Sequence, residues 1–142
     1  MTAPAAIVAA ARTQIGVPWA HQGRLWGEAL DCLGLVICTA RACGLVAPTF
    51  DVNGYSRSPD GSMTTLCRRY MTEIQALELG AVVEVATLHD PHHLAIVGDY
   101  VHGGFSVIHS SNAGRGRCVE HRLAWTSAFR MRGIYRLPGA EA

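Results

Sequence analysis

The character of the chain changes at Gly80, and that change constrains the fold more than any other feature. Residues 81–86 (AVVEVA), 93–99 (HLAIVGD), 105–110 (FSVIHS), 117–123 (RCVEHRL) and 129–137 (FRMRGIYRL) are short, β-branched or alternating. Glycines and histidines separate them, as expected of five antiparallel strands. Before Gly80 the apolar spacing is helical. Helices followed by a run of strands predict an α+β architecture, with N-terminal helices packed on a five-stranded, mainly antiparallel sheet. With 142 residues, 49% of them hydrophobic, and no repeat or linker, residues 1–142 read as a single domain.

Several functional classes are disfavoured. The formal charge is +1, so no net field marks the chain for nucleic acid or an anionic membrane. All twelve basic residues are arginines, which reads first as coding bias. There is no 18-residue apolar run to span a bilayer. The apolar start MTAPAAIVAAARTQIG has no basic segment ahead of it, so it does not read as a signal peptide. The five cysteines (32, 38, 43, 67 and 118) are odd in number and form no C-x-x-C pair, which indicates neither a disulfide framework nor a zinc ribbon. Cys38, Cys43 and Cys67 read as small apolar core residues.

In the first half, Ala5–Gly16 is expected to be a helix capped by Thr2 and stopped at Gly16-Val17-Pro18. Residues 18–30 read as a loop. A second helix runs from Cys32 to a C′ glycine at Gly44. The segment after it is irregular, punctuated by Asn53-Gly54 and Pro59-Asp60-Gly61. A third helix is expected from about Met63 to Leu77.

The chemistry centres on Asp31-Cys32. Asp is a preferred N-cap, which makes Cys32 the first helical residue. The unsatisfied amides and the positive end of the helix dipole favour an anion there, and so favour the thiolate. The same amides can donate to an oxyanion forming beside the sulfur. A nucleophilic cysteine also needs an imidazole base, oriented by a third polar group.

Seven histidines compete for these roles: 21, 89, 92, 93, 102, 109 and 121. His93 shares a strand face with Ala95 and Val97, and His109 shares one with Phe105 and Val107. The two faces coincide only if the intervening turn has an odd number of residues, as a turn centred near Val101 or His102 provides. The two histidines would then be opposite or one diagonal step apart, about 5–8 Å between Cβ atoms.

The order Asp-Cys-x-Gly-Leu on a helix, His-x-Ala-Ile on a strand and a polar residue on the next strand resembles the NlpC-type cell-wall peptidases, a papain-like family. GVPWAHQGR resembles that family's Gly-x-Pro-Tyr segment in a His-Gln variant associated with phage tail-tip peptidases. LELGAVVEV resembles its Pro-Gly-Asp-Val strand. The resemblance spans about Ile7 to His109. It implies a papain-like NlpC fold, with Cys32 as nucleophile, His93 as general base and His109 as the group that orients it. It implies cleavage of a peptidoglycan stem peptide, at D-glutamyl–diaminopimelate, with no cofactor. It also implies tail-hub or tail-tip partners and action at the bacterial wall from a phage-like particle. Three positions depart from the family. Leu33 replaces Ser or Ala, and Ala81 replaces Asp. Trp19 replaces a Tyr whose hydroxyl lies near the oxyanion, which makes His21 the nearby substitute donor.

Other readings carry less weight. His89, His92 and His93 have ligand-like spacing, but no carboxylate or cysteine joins them at zinc spacing. No metal is therefore assigned, and His89 and His92 are placed at the rim of the cleft. His121 reads as a satisfied sheet or surface residue, and Trp26 as a core or cleft-wall aromatic. A catalytically silent tail adaptor of the same fold and an acyl or amide transferase are the rival functions. The sequence does not separate hydrolysis from transfer.

Overall fold

Pro4 opens the first helix, α1 (Pro4–Arg12), at the position where its missing N–H is no loss. Thr2 does not cap this helix; its hydroxyl donates to the Cys43 carbonyl at 3.2 Å. The computed structural model describes residues 2–52, 55, 61–88, 92–113, 116–126 and 129–142. The expected turns at Asn53-Gly54 and Pro59-Asp60, and His89, lie outside these residues.

The stretch expected to be a plain loop contains a short hairpin, β1 (Arg24–Leu25) paired with β2 (Ala29–Leu30). It leads directly into α2 (Cys32–Ala42). Past the end of α2, Gly44 takes a φ of +70°, which a Cβ would oppose, and so ends the helix as expected. The third helix is shorter than expected. α3 (Ser62–Tyr70) stops at Met71, and Thr72–Ile74 pair instead with a strand near the C-terminus.

That pairing adds a sixth strand to the five expected. The sheet contains β3 (Thr72–Ile74), β4 (Val82–Thr87), β5 (His93–Asp99), β6 (Phe105–Ser111), β7 (Arg117–Arg122) and β8 (Phe129–Arg136), in the order β3-β8-β4-β5-β6-β7. Every neighbouring pair is antiparallel. Strands β4 to β7 form a meander, and β8 returns to lie beside β4.

The period of two sorts the strand residues between two apolar layers. Val82, Leu94, Ile96, Ile108, Cys118 and Tyr135 face the helices, where Ile7, Leu30 and Leu35 are fully buried. Truncating one of these large aliphatic side chains to Ala would remove about 2–5 kcal/mol. The other face buries Val83, Val85, Ala95, Val97, Val107 and Ile134 under Phe105, Leu123 and Phe129. Among the described residues, no helix is long and apolar enough to cross a membrane.

On the helix face, Glu84 is fully buried, accepting from the Thr64 hydroxyl at 2.6 Å and the Tyr135 hydroxyl at 3.3 Å. His92, expected at an exposed rim, is largely covered, with Nδ1 3.7 Å from a Glu84 oxygen. Trp26, expected in the core or a cleft wall, is exposed on the turn between β1 and β2.

Candidate active site

The start of α2 is fixed by one buried carboxylate. Asp31 is the N-cap, and its Oδ1 accepts from the Gly34 amide at 2.7 Å. The same carboxylate accepts from the Gln22 amide at 2.8 Å, from Arg24 Nη1 at 2.9 Å and from the Tyr55 hydroxyl. Arg24 also donates to Asp51 at 2.8 Å and to the Tyr55 oxygen at 2.8 Å. Burial and the neighbouring Asp31 push the Tyr55 phenol well above its ordinary range, so it stays a donor.

Gly34 explains the glycine of the Asp-Cys-x-Gly motif. A Cβ there would come within 2.0 Å of the Gly23 carbonyl oxygen. Only glycine lets the 20–23 loop pass so close to the helix. Cys32 is thus the first residue of a helix whose capping carboxylate is held by four donors, two amides and two side chains.

The loop bearing Trp19 and His21 belongs to this assembly through its backbone. Trp19 bridges to Leu30, two residues before Cys32, and its amide donates to the Gly116 carbonyl at 2.8 Å. His21 is exposed and lies edge-on to Tyr55, with ring centroids 6.0 Å apart.

The histidines are organised by strand register. Ile96 pairs with Ile108 and Asp99 with Phe105, so the β5–β6 turn is centred on His102 and has an odd length. His93 and His109 therefore fall on one face, in phase with Ala95, Val97 and Val107, one diagonal step apart. His93 Nε2 and His109 Nδ1 are 2.7 Å apart, and the rings meet edge to face.

A third histidine continues the row. His109 Nε2 lies 2.8 Å from His121 Nε2, and His121 Nδ1 lies 2.9 Å from the Arg122 carbonyl oxygen. In the β6–β7 register His109 opposes Val119 and His121 opposes Val107, which again leaves the two rings one diagonal step apart. Phe129 lies against both rings, with centroids 5.9 and 5.7 Å away. Burial, then the flanking His93 and His121, push the His109 imidazole down to about 2, so it stays neutral.

A hydrogen bond joins the histidine strand β6 to the segment entering α2. Ser110, the neighbour of His109, donates to the Leu30 carbonyl at 2.6 Å. Cys32, His93 and His109 are all buried, with 6%, 3% and 6% of their surface exposed. The cap places Asp31 beside Cys32 at the start of α2, the strand register pairs His93 with His109, and His21 lies exposed on the loop ahead of the hairpin. Among the described residues, no group of three His, Cys, Asp or Glu is placed to hold a metal ion.

No family model matches the sequence, and no curated protein sequence matches it. Solved structures do. The NlpC/p60 domain of the peptidoglycan hydrolase SagA superposes with a TM-score of 0.58 at 19% identity, over 94% of this chain and 98% of that one. The fold is that of an NlpC/p60 domain. NlpC1 and NlpC2 from Trichomonas vaginalis give TM-scores of 0.63 at 15% and 16% identity, over 92% and 94% of this chain. This chain spans 42% and 45% of the length of those two proteins. At such identities the likeness concerns the fold alone.

Proposed function

We propose that this protein is a cysteine peptidase that cleaves a peptidoglycan stem peptide. The observation that carries the reading is the pairing of His93 with His109 on strands that pack against α2, the capped helix that begins at Cys32. With Nε2 turned to His109, His93 has Nδ1 for the thiol. The Cys32 proton passes to that nitrogen, and the sulfur attacks the amide carbonyl carbon. The Cys32 amide, at the open end of the helix, donates to the developing oxyanion. His93 then gives its Nδ1 proton to the leaving amine as the C–N bond breaks, forming a Cys32 thioester. Water, deprotonated by His93, attacks the thioester, releasing the acid and restoring the thiol. His109 stays neutral throughout and orients the base.

Resemblance supports D-glutamyl–diaminopimelate as the scissile bond. The His21-Gln22-Gly23-Arg24 variant supports delivery by the tail tip of a phage-like particle, with tail-hub proteins as partners. The test is mass spectrometry of muropeptides incubated with the protein and with Cys32→Ala. New fragments carrying a free D-glutamyl acid, absent with Cys32→Ala, are the expected result. Fragments capped by an added amine would instead mark acyl transfer, and no thiol-dependent change would mark a silent scaffold. Purified particles should contain the protein at low copy number; its absence from them would remove the tail-tip assignment.

A further inference from the structure

We infer that His121 is a positioning residue that sets the tautomers of His109 and His93 through the row of three rings. A carbonyl oxygen only accepts, so the 2.9 Å contact between His121 Nδ1 and the Arg122 oxygen requires the proton to be on Nδ1. Neutral His121 then presents a lone pair at Nε2. The 2.8 Å contact there requires His109 to donate through Nε2–H. Neutral His109 therefore presents a lone pair at Nδ1, and the 2.7 Å contact with His93 is completed by His93 Nε2–H. Neutral His93 is left with its lone pair on Nδ1. That tautomer can receive a proton from a thiol, and the opposite one cannot. A backbone carbonyl on β7 thus dictates, two rings away, which nitrogen of His93 is basic.

The downward shift of His109 supports this polarity, because a charged His109 would donate from both nitrogens and break the row's direction. The relevance to catalysis rests on the reading of His93 as the base, whereas the tautomer pattern does not. Long-range proton–nitrogen NMR of ¹⁵N-histidine-labelled Cys32→Ala protein reads the tautomers without requiring turnover. The expected pattern is Nδ1–H on His121 and Nε2–H on both His109 and His93. A neutral His121 protonated at Nε2 overturns the inference from this spectrum alone.

In His121→Phe the acceptor is gone, so His109 and His93 should shift to mixed tautomers. In the Cys32 enzyme, kcat should fall about 10–100-fold with KM little changed. His121→Gln, whose side-chain oxygen can accept from His109 Nε2–H, should restore both the tautomers and most of kcat. Equal losses in the Phe and Gln variants would overturn the inference and leave His121 a packing residue. If the expected tautomers are present and lost in His121→Phe but no variant cleaves muropeptides, the row stands and the peptidase reading falls.

Discussion

The Ser110 hydroxyl donates to the Leu30 carbonyl at 2.6 Å, across 80 residues of sequence. Both groups are buried, and the bond joins the strand carrying His109 to the strand feeding α2. Ser110→Ala is expected to lower stability by about 1 kcal/mol. The measurement is urea unfolding, where the midpoint should fall with the slope unchanged. An unchanged midpoint would show that the bond contributes nothing.

Asp31 carries a larger share. Asp31→Ala removes the N-cap and leaves Arg24, whose side chain is only 12% exposed, with Asp51 as its remaining carboxylate. A loss of about 3 kcal/mol is expected, in line with breaking a buried pair. Asp31→Asn keeps an oxygen for the Gly34 amide and should lose less. Equal losses in the two variants would argue against the capping role.

His109 makes stability depend on pH. Its imidazole is depressed to about 2 in the fold, whereas in the unfolded chain it takes a proton near its ordinary 6.5. Below that value the unfolded state binds more protons, so stability falls as pH drops, by about 1.4 kcal/mol per pH unit from this group. Above it the contribution is flat. Chemical denaturation from pH 7.5 to 5 should show the slope, and His109→Gln should remove one proton's worth of it. An identical slope in the variant would sink the assignment.

Iodoacetamide near neutral pH should label Cys32 before the other four cysteines. Burial pushes up the thiols of Cys38, Cys43 and Cys67, and it raises Cys118 to about 12. Peptide mapping decides the order. Earlier labelling of Cys38, Cys67 or Cys118 would count against Cys32 as nucleophile.

The two roles proposed for the histidines separate in turnover. His93→Ala should abolish cleavage and slow Cys32 alkylation. His109→Gln should retain measurable activity, because an amide oxygen can still accept from His93 Nε2–H. A dead His109→Gln beside a fully active His93→Ala would reverse the roles.

The parts of this arrangement that were legible in the sequence are those set by short-range rules. The Asp31 cap, the Gly44 stop and the shared face of His93 and His109 follow from cap chemistry and a period of two. His121 is the satisfied sheet histidine the sequence suggested, but its contact with His109 was not read, although the same parity test across the second hairpin points to it, since 109 and 121 fall in phase when β6 and β7 pair. β3 was missed because Thr72–Ile74 gain their strand character from β8, about sixty residues away, and follow a helix without a break. The partners of Asp31 were hidden for the same reason. Nothing local in Arg24 or Tyr55 announces that their side chains converge on one carboxylate.

The site is assembled from two pieces that each close over short stretches of chain. Asp31 reaches partners 3, 7, 9 and 24 residues away. The histidine contacts span 16 and 12. The bonds that join the pieces span far more chain, 80 residues for Ser110–Leu30, and Trp19 reaches Gly116 in the same way. Short loops close early at small entropic cost, and the long ones close late. During synthesis the capped helix that begins at Cys32 is therefore expected to form well before the histidine strands are made. A truncated or nicked product keeps one piece or the other. On the proposed mechanism, the thiol and its base act together only once both pieces have closed.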